Sequence, residues 1–266
     1  MSLAHARNLA SLRSEVERLE TGGGERLLAR NSLGAAGVDA VLKGGIALGA
    51  MHEVFAAAGG QAASATGFAL GLTRRITQGK RFVLWVRQDF SAQESGDLSM
   101  SGFAELGLDP RHVVVVRAPT AEIVLRTAAD GLACNALGAV IAEIWGETRA
   151  FDLVASRKLT LAAGESGVTA LMLRLGAAPQ ASTAETRWIV RAAHSPPVAD
   201  WQGWGAPVFD AELARNRHGR TGRWLMEWTS DEYLFREQAY PQRVAAAPAD
   251  RSFPPPAAAE WRRRSA

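Results

Sequence analysis

A glycine-rich stretch is the part of the sequence best suited to phosphate chemistry. It reads Gly59-Gly60-Gln61-Ala62-Ala63-Ser64-Ala65-Thr66-Gly67. In such a loop, glycines let backbone N–H groups converge on a phosphate, a lysine contacts the β- and γ-oxygens, and a hydroxyl binds magnesium. The Gly-Lys-Ser/Thr ending is missing here, and the nearest lysines are Lys43 and Lys80. We therefore expect a degenerate nucleotide loop without ATP hydrolysis, whose candidate positions are Gly59, Gly60, Ser64, Thr66 and Gly67. An ordinary strand-to-helix turn is the favoured alternative, and a weak phosphate contact through backbone amides is also open.

Two acidic residues stand where nucleotide-hydrolysing sheets carry a metal ligand and a water-activating carboxylate. Glu143 lies at the end of a predicted strand, and Asp89 follows another. Without a lysine loop, we interpret Glu143 as a solvated strand-end residue and Asp89 as a carboxylate with nothing to act on. Five scattered histidines and the single Cys134, which we expect to be buried, lack the spacing of a zinc site. We therefore expect no catalysis, no metal and no cofactor.

The composition limits the partner classes without selecting one. Of the 30 basic residues, 27 are arginine, which suits bidentate phosphate contacts, but the alanine-rich chain also indicates a GC-rich genome. The formal charge of +3 is too small to predict DNA binding by itself. No apolar run approaches the ~20 residues of a membrane span. Met1 to Glu20 lacks an apolar signal core, so we expect a cytoplasmic protein that does not contact membranes.

The elements that must position these residues fall into three predicted parts. Residues 1–24 form an amphipathic helix, Leu3 to Leu19, followed by a glycine-rich linker. Residues 25–238 form the main domain. Residues 239–266 are a disordered tail rich in Pro, Ala and Arg. The N-terminal helix is as compatible with packing on its own domain as with packing on a partner.

Within the main domain, apolar strands alternate with helices from Leu42 to His194. Near-continuous apolar strands separated by helices predict a doubly wound α/β domain with a parallel sheet covered on both faces. Ligands in such sheets lie at the carboxyl ends of the strands. From Pro196 to Trp228 the pattern changes to two alternating segments, 208–213 and 223–228, which predict antiparallel strands.

Three stretches of the sequence resemble a known family. Gly49 to Phe55, leading into the glycine-rich stretch, is similar to the entry of the RecA ATPase core. A resemblance to the ImuA family extends from Leu33 to Glu237. Its most specific parts are Gly49 to Phe55, Phe82-Val83-Leu84-Trp85, and Arg215 to Trp228. The resemblance implies an α/β, RecA-like fold with a mostly parallel central sheet, flanking helices and C-terminal antiparallel strands.

The resemblance also implies a function. ImuA-like proteins are RecA-like members of bacterial damage-inducible mutagenesis cassettes and act as non-catalytic accessory proteins in SOS translesion synthesis. The implied partners are ImuB and an error-prone C-family DNA polymerase, with RecA and DNA as further candidates. Two alternatives stay open, a nucleotide-dependent recombination factor similar to RecA and RadA, and a cell-division inhibitor similar to SulA.

A second resemblance concerns Arg215 to Gly222. This stretch is similar to the Lys-Asn-Arg-x-Gly-x-Thr-Gly element of DnaB-type helicases and RadA, in which basic residues reach the nucleotide phosphates of a neighbouring subunit. Arg215 replaces the lysine, and the matching positions are Asn216, Arg217, Gly219, Thr221 and Gly222. Paired guanidinium groups on a rigid hairpin can hold phosphate oxygens bidentately. The alternative is a plain hairpin turn with solvated arginines.

Aromatic residues offer two further candidate surfaces. Five of the eight tryptophans lie between positions 188 and 228, where they suit base stacking but are more often core; we expect Trp201 and Trp204 to be the most exposed. In the tail, one aromatic residue followed by three positive charges resembles an anchor for a partner or DNA, and a solvated terminus is equally compatible; these residues are Trp261, Arg262, Arg263 and Arg264.

Overall fold

A nine-stranded sheet organises the computed structural model, which describes residues 28–79, 81–197 and 205–238. Six strands are mutually parallel: β3 (Met51–Ala56), β4 (Phe82–Gln88), β5 (Val113–Ala118), β6 (Leu137–Trp145), β7 (Thr169–Leu175) and β8 (Thr186–Ala192). Three antiparallel strands continue the sheet: β9 (Val208–Asn216), β10 (Gly222–Thr229) and β11 (Leu234–Gln238). The spatial order is β11-β10-β9-β8-β3-β7-β6-β4-β5. A separate pair, β1 (Arg30–Asn31) and β2 (Ile46–Ala47), is antiparallel.

Helices cover both faces of this sheet. One face carries α1 (Ala36–Val41), α2 (Ala62–Thr77) and α4 (Met100–Glu105), and the other carries α5 (Ala121–Leu132) and α6 (Leu153–Ser166). The short helix α3 (Asp89–Ser95) follows β4, and single 3₁₀ turns occupy Gly59–Gln61 and Pro110–His112. Helices α5 and α6 begin at Ala121 and Leu153, because Thr120 and Asp152 accept hydrogen bonds from the backbone of their first turns.

A hydrophobic core on each face of the sheet explains why the sequences of the strands are almost entirely apolar. All residues of β3 and β7 are buried, as expected for parallel strands covered on both sides. On the α2 face, aromatic rings dominate the core, and Phe68 lies 5.4 Å from Trp188 and 5.3 Å from Phe235, measured between ring centroids. Trp188 and Trp228 are fully buried, in agreement with the core interpretation. Trp201, Trp204, the 1–24 segment and the 239–266 tail lie outside the described residues.

The predicted fold class is confirmed, with three local corrections. The sheet gains an edge strand, β11, that the sequence pattern had not indicated, because this strand is only five residues long. Cys134 is exposed just after α5, not buried within a helix. Glu143 lies inside β6 and is 1% exposed, so the interpretation as a solvated strand-end residue is wrong.

Candidate functional site: the glycine-rich turn and the arginine hairpin

The glycine-rich stretch follows β3 at the carboxyl edge of the parallel strands, as predicted. Gly59 and Gly60 lie in the exposed 3₁₀ turn before α2. Neither glycine has a positive φ, and a Cβ added to either would meet no atom within 4 Å. The turn therefore leaves open space above its backbone, but the backbone conformation itself does not require glycine.

Helix α2 begins earlier than the sequence pattern had indicated. Ala62 opens the helix, so Ser64, Thr66 and Gly67 belong to its first two turns and not to the loop. A phosphate-binding loop places its lysine and hydroxyl where the helix opens, and here those positions are Ala62 and Ala63. Gly67 faces the ring of Phe209, since a Cβ there would lie 3.4 Å from the ring carbons. The five predicted loop residues are thus divided between two elements.

A side-chain amide lies at the start of this helix. The Gln61 Oε1 atom accepts a hydrogen bond of 2.7 Å from the backbone N–H of Ala192 at the end of β8. It also accepts one of 3.4 Å from the hydroxyl of Ser64. Ser64, the candidate hydroxyl for a metal or phosphate, is therefore held by a neighbouring amide, and the turn is fastened to β8.

Glu143 is held on the α2 face by two donors from β4. Its Oε1 accepts from Nε of Arg87 at 2.9 Å, and its Oε2 accepts from the indole N–H of Trp85 at 2.8 Å. The other end of the Arg87 guanidinium donates to the Ser91 carbonyl at 3.2 Å and to the Ser95 hydroxyl at 3.0 Å. Burial raises the pKa of Glu143, and the positive charge of Arg87 opposes this rise. Each oxygen of this buried carboxylate thus already accepts a hydrogen bond from β4.

The same pairing occurs at two other acidic residues. Asp89, at the start of α3, accepts from Nε of Arg117 at 2.9 Å, and its side chain is 39% exposed against 55% for Arg117. On the α5–α6 face, the fully buried Glu53 of β3 accepts from Nε of Arg187 on β8 at 2.6 Å. Sequence reasoning missed the Glu53–Arg187 pair. The available signal was a pair of opposite charges in two mostly apolar predicted strands, Glu53 in one and Arg187, with Arg191, in the other.

A further buried cation, Arg174, lies beside this pair on β7. Its guanidinium lies 5.3 Å from the ring centre of Phe151 and 5.9 Å from that of Phe55. It donates to the Gly146 carbonyl at 3.2 Å, and its Nε and Nη1 atoms have no hydrogen-bond partner among the described residues. Burial lowers the pKa of Arg174, and the charge of Glu53 opposes this effect. Aromatic faces therefore supply part of the stabilisation that hydrogen bonds do not.

The predicted arginine hairpin connects β9 to β10. It lies at one end of the strands, and the glycine-rich turn lies at the other end. Asn216 of β9 pairs with Thr186, the first residue of β8, whereas Gln61 beside the loop contacts Ala192, the last. These two ends of β8 are about 20 Å apart at 3.3 Å per residue. The hairpin therefore lies far from the glycine-rich stretch of its own chain, an arrangement that suits contacts to another molecule.

Several hairpin residues have structural partners within the chain. The Arg215 guanidinium donates to the Ser182 carbonyl at 2.7 Å. The Asn216 side chain donates to the carbonyls of Val41 and Arg220, each at 3.1 Å. A Cβ at Gly219 would lie 2.5 Å from the Asn216 amide, so this close approach requires glycine.

Two arginines of the hairpin project differently. Arg217 and Arg220 are exposed, and their guanidinium groups contact no hydrogen-bond or ion-pair partner in the described parts of the chain. Thr221 is also exposed. The positive charge available to an outside ligand thus comes from Arg217 and Arg220, whereas Arg215 and Asn216 hold the turn in place. The tail residues Trp261 to Arg264 lie outside the described residues.

Membrane-spanning helices and clusters of metal ligands are both absent from the described residues. No helix among them is both long and apolar enough to cross a membrane. No group of three or more His, Cys, Asp or Glu side chains in residues 28–79, 81–197 and 205–238 is placed to hold a metal ion.

Comparison with known proteins identifies the family. No family model matches the chain. Two curated proteins from two strains of Caulobacter vibrioides, both named Protein ImuA, are each 32% identical to it over 228 residues. The matched region covers 79% of this chain and 89% of each relative. This similarity extends over most of both sequences, and the chain therefore belongs to the ImuA family.

Proposed function

We propose that the chain is a non-catalytic accessory protein of DNA-damage-induced translesion synthesis, acting in the SOS mutagenesis cassette. Membership of the ImuA family supports the pathway. The proposed partners are ImuB and an error-prone C-family DNA polymerase, with RecA and DNA as further contacts. Its role is then to present surfaces to these partners in the cytoplasm, and no cofactor is needed for it.

One observation carries the non-catalytic part of the proposal. Glu143, the candidate metal ligand, has both carboxylate oxygens engaged, one by Arg87 and one by Trp85. Phosphoryl transfer depends on cations that neutralise charge on the transferred phosphate. With alanines at the start of α2, the chain offers no lysine there, and magnesium at Glu143 would compete with the Arg87 guanidinium for the same buried carboxylate.

A nucleotide assay tests this part directly. Purified full-length protein is mixed with labelled ATP and magnesium, and both retention of ATP and release of phosphate are measured. We expect neither above the level of a Gly59→Asp variant, whose added carboxylate would repel a phosphate at the loop. Tight ATP binding by the native protein that this variant abolishes would favour the nucleotide-dependent recombination factor.

The hairpin supports the contact part of the proposal. Arg217 and Arg220 form an exposed cationic pair at the edge of the sheet away from the loop, and they can reach a phosphate of DNA or of a nucleotide held by a RecA-like neighbour. A pull-down with purified ImuB and, separately, the cell-division protein FtsZ tests the choice of pathway. We expect capture of ImuB alone; capture of FtsZ alone would favour the inhibitor similar to SulA.

A further inference from the structure

Helix α6 has an apolar stripe on its outer side that no other described part of the chain covers. Val154 is 62% exposed and Leu161 is 54% exposed, and these two side chains lie two turns apart on the face opposite the buried Leu159. Arg157 and Lys158 are exposed between them. We call Val154, Arg157, Lys158 and Leu161 the outer face of α6. Its two large apolar groups on one helical stripe are typical of a helix that packs against another segment.

The chain enters the described structure beside this helix. The carbonyl of Ala29 accepts a hydrogen bond of 2.8 Å from the N–H of Leu48. The next residue, Gly49, packs on the C-terminal end of α6, because a Cβ there would lie 3.2 Å from the Cα of Gly167. The residues that precede the described structure therefore start from the C-terminal end of α6.

The length of that preceding chain suits the outer face. Residues 3–19, which we call the N-terminal segment, would span about 25 Å as a helix, and α6 spans about 21 Å. Residues 20–27, which include three glycines, can bridge up to about 26 Å. The N-terminal segment can thus reach α6 and lie along most of its length.

The two surfaces also match in spacing and charge. Leu12 and Leu19 are separated by seven residues, as are Val154 and Leu161, so both pairs repeat at about 10.5 Å along a helix. When Leu19 is set level with Leu161, which lies five residues before the end of α6, Leu12 is level with Val154. In this register Glu15 is level with Arg157, which gives an opposite-charge pair beside the apolar contact.

We propose that the outer face of α6 is the docking site of the N-terminal segment of the same chain. In this arrangement the two helices run parallel, and Leu12 and Leu19 cover Val154 and Leu161. The glycine-rich linker then connects the end of the N-terminal segment to the first described residues. The inference is independent of the partners proposed above. It chooses between the two possibilities that the sequence leaves open for this helix, packing on its own domain and packing on a partner.

Disulfide formation in the full-length protein tests the proposal. In a Cys134→Ser background, we introduce Leu19→Cys together with Leu161→Cys and follow oxidation on non-reducing gels with mass spectrometry. The matched control pairs Leu19→Cys with Ser101→Cys, which places the second thiol on exposed α4 across the sheet. We expect the Leu161 pair to cross-link within one chain at least tenfold faster than the control pair.

A charge exchange provides the second measurement. Glu15→Arg should slow the Leu19–Leu161 cross-link, and adding Arg157→Glu should restore its rate, a result that unfolding of either helix cannot produce. Equal rates for the Leu161 and Ser101 pairs would overturn the proposal. Cross-links that join two chains, detected with two copies of different mass, would also overturn it, since the occupant would then be a second molecule.

Discussion

The carboxylate of Glu143 and the guanidinium of Arg87 lie on neighbouring parallel strands and form a buried ion pair of 2.9 Å. Register brings them together, because Arg87 of β4 stands opposite Glu143 of β6 in the sheet. The carboxylate thus receives its positive charge from the adjacent strand. The consequences of this pairing for stability can be measured.

Removing the arginine should leave a buried charge without its partner. We expect Arg87→Ala to lower the free energy of unfolding by about 3–5 kcal/mol, the usual cost of breaking a buried ion pair from one side. Arg117→Ala is the matched control, because its pair with Asp89 is largely exposed, and it should cost less than about 1 kcal/mol. Urea unfolding measures both variants; similar losses would mean that burial of the Glu143 pair has no energetic weight.

The buried His52 predicts an acid-sensitive fold. Its Nε2 donates to the Ala47 carbonyl at 2.8 Å, and its Nδ1 accepts from the Thr186 hydroxyl at 2.7 Å. Burial lowers the pKa of His52 to about 4 from 6.5, so the unfolded chain binds a proton at a higher pH than the folded protein. The unfolding free energy should therefore fall as the pH drops from 6.5 to 4, in total by about 3 kcal/mol.

Chemical unfolding at several pH values checks this prediction against a variant. His52→Gln removes the titrating ring and should flatten the dependence between these pH values. An unchanged slope in the variant would assign the acid sensitivity to other groups.

The glycines of the loop should be replaceable. Gly59→Ala and Gly60→Ala add a methyl group to open space without a positive φ, so we expect the unfolding free energy to change by less than about 0.5 kcal/mol. The matched control is Gly71→Ala within α2, where the new Cβ would lie 2.5 Å from the Phe235 ring. Overpacking of that kind costs about 1–3 kcal/mol. Thermal unfolding distinguishes these outcomes, and a large loss at Gly59 would indicate a backbone requirement.

Charge reversal in the hairpin should separate binding from folding. Arg217→Glu and Arg220→Glu change exposed side chains, so we expect weaker, salt-sensitive binding of DNA by fluorescence anisotropy with an unchanged melting temperature. Arg215→Glu is the comparison, because it removes the contact with the Ser182 carbonyl and should lower the melting temperature. DNA affinity that is insensitive to both exposed substitutions would exclude this cationic pair as the contact.

Much of the fold could be predicted from the sequence because its signals are local. The apolar runs that form β3 and β7 each specify a buried strand within a few consecutive positions. The family resemblance was also readable, and the comparison with curated proteins confirms it.

The buried ion pairs within the sheet could not be predicted in the same way, because they depend on strand register. Arg87 and Glu143 are 56 positions apart, and only the pairing of β4 with β6 places them in contact. Likewise, the exposure of Cys134 depends on where α5 ends, two residues earlier. The roles of the hairpin residues also depend on the folded structure, since Arg215 and Arg217 differ only in the groups that lie beside them.

The opposite placement of the hairpin and the glycine-rich turn affects any row of RecA-like subunits that the protein joins. When subunits associate through two different surface patches, they form a head-to-tail row. Each subunit then uses one patch for one neighbour and the other patch for the next. This molecule can offer its arginines to one neighbour, but under the non-catalytic function proposed above it would hold no triphosphate for the next neighbour to contact. In such a row it would act as a terminus, ending growth in one direction.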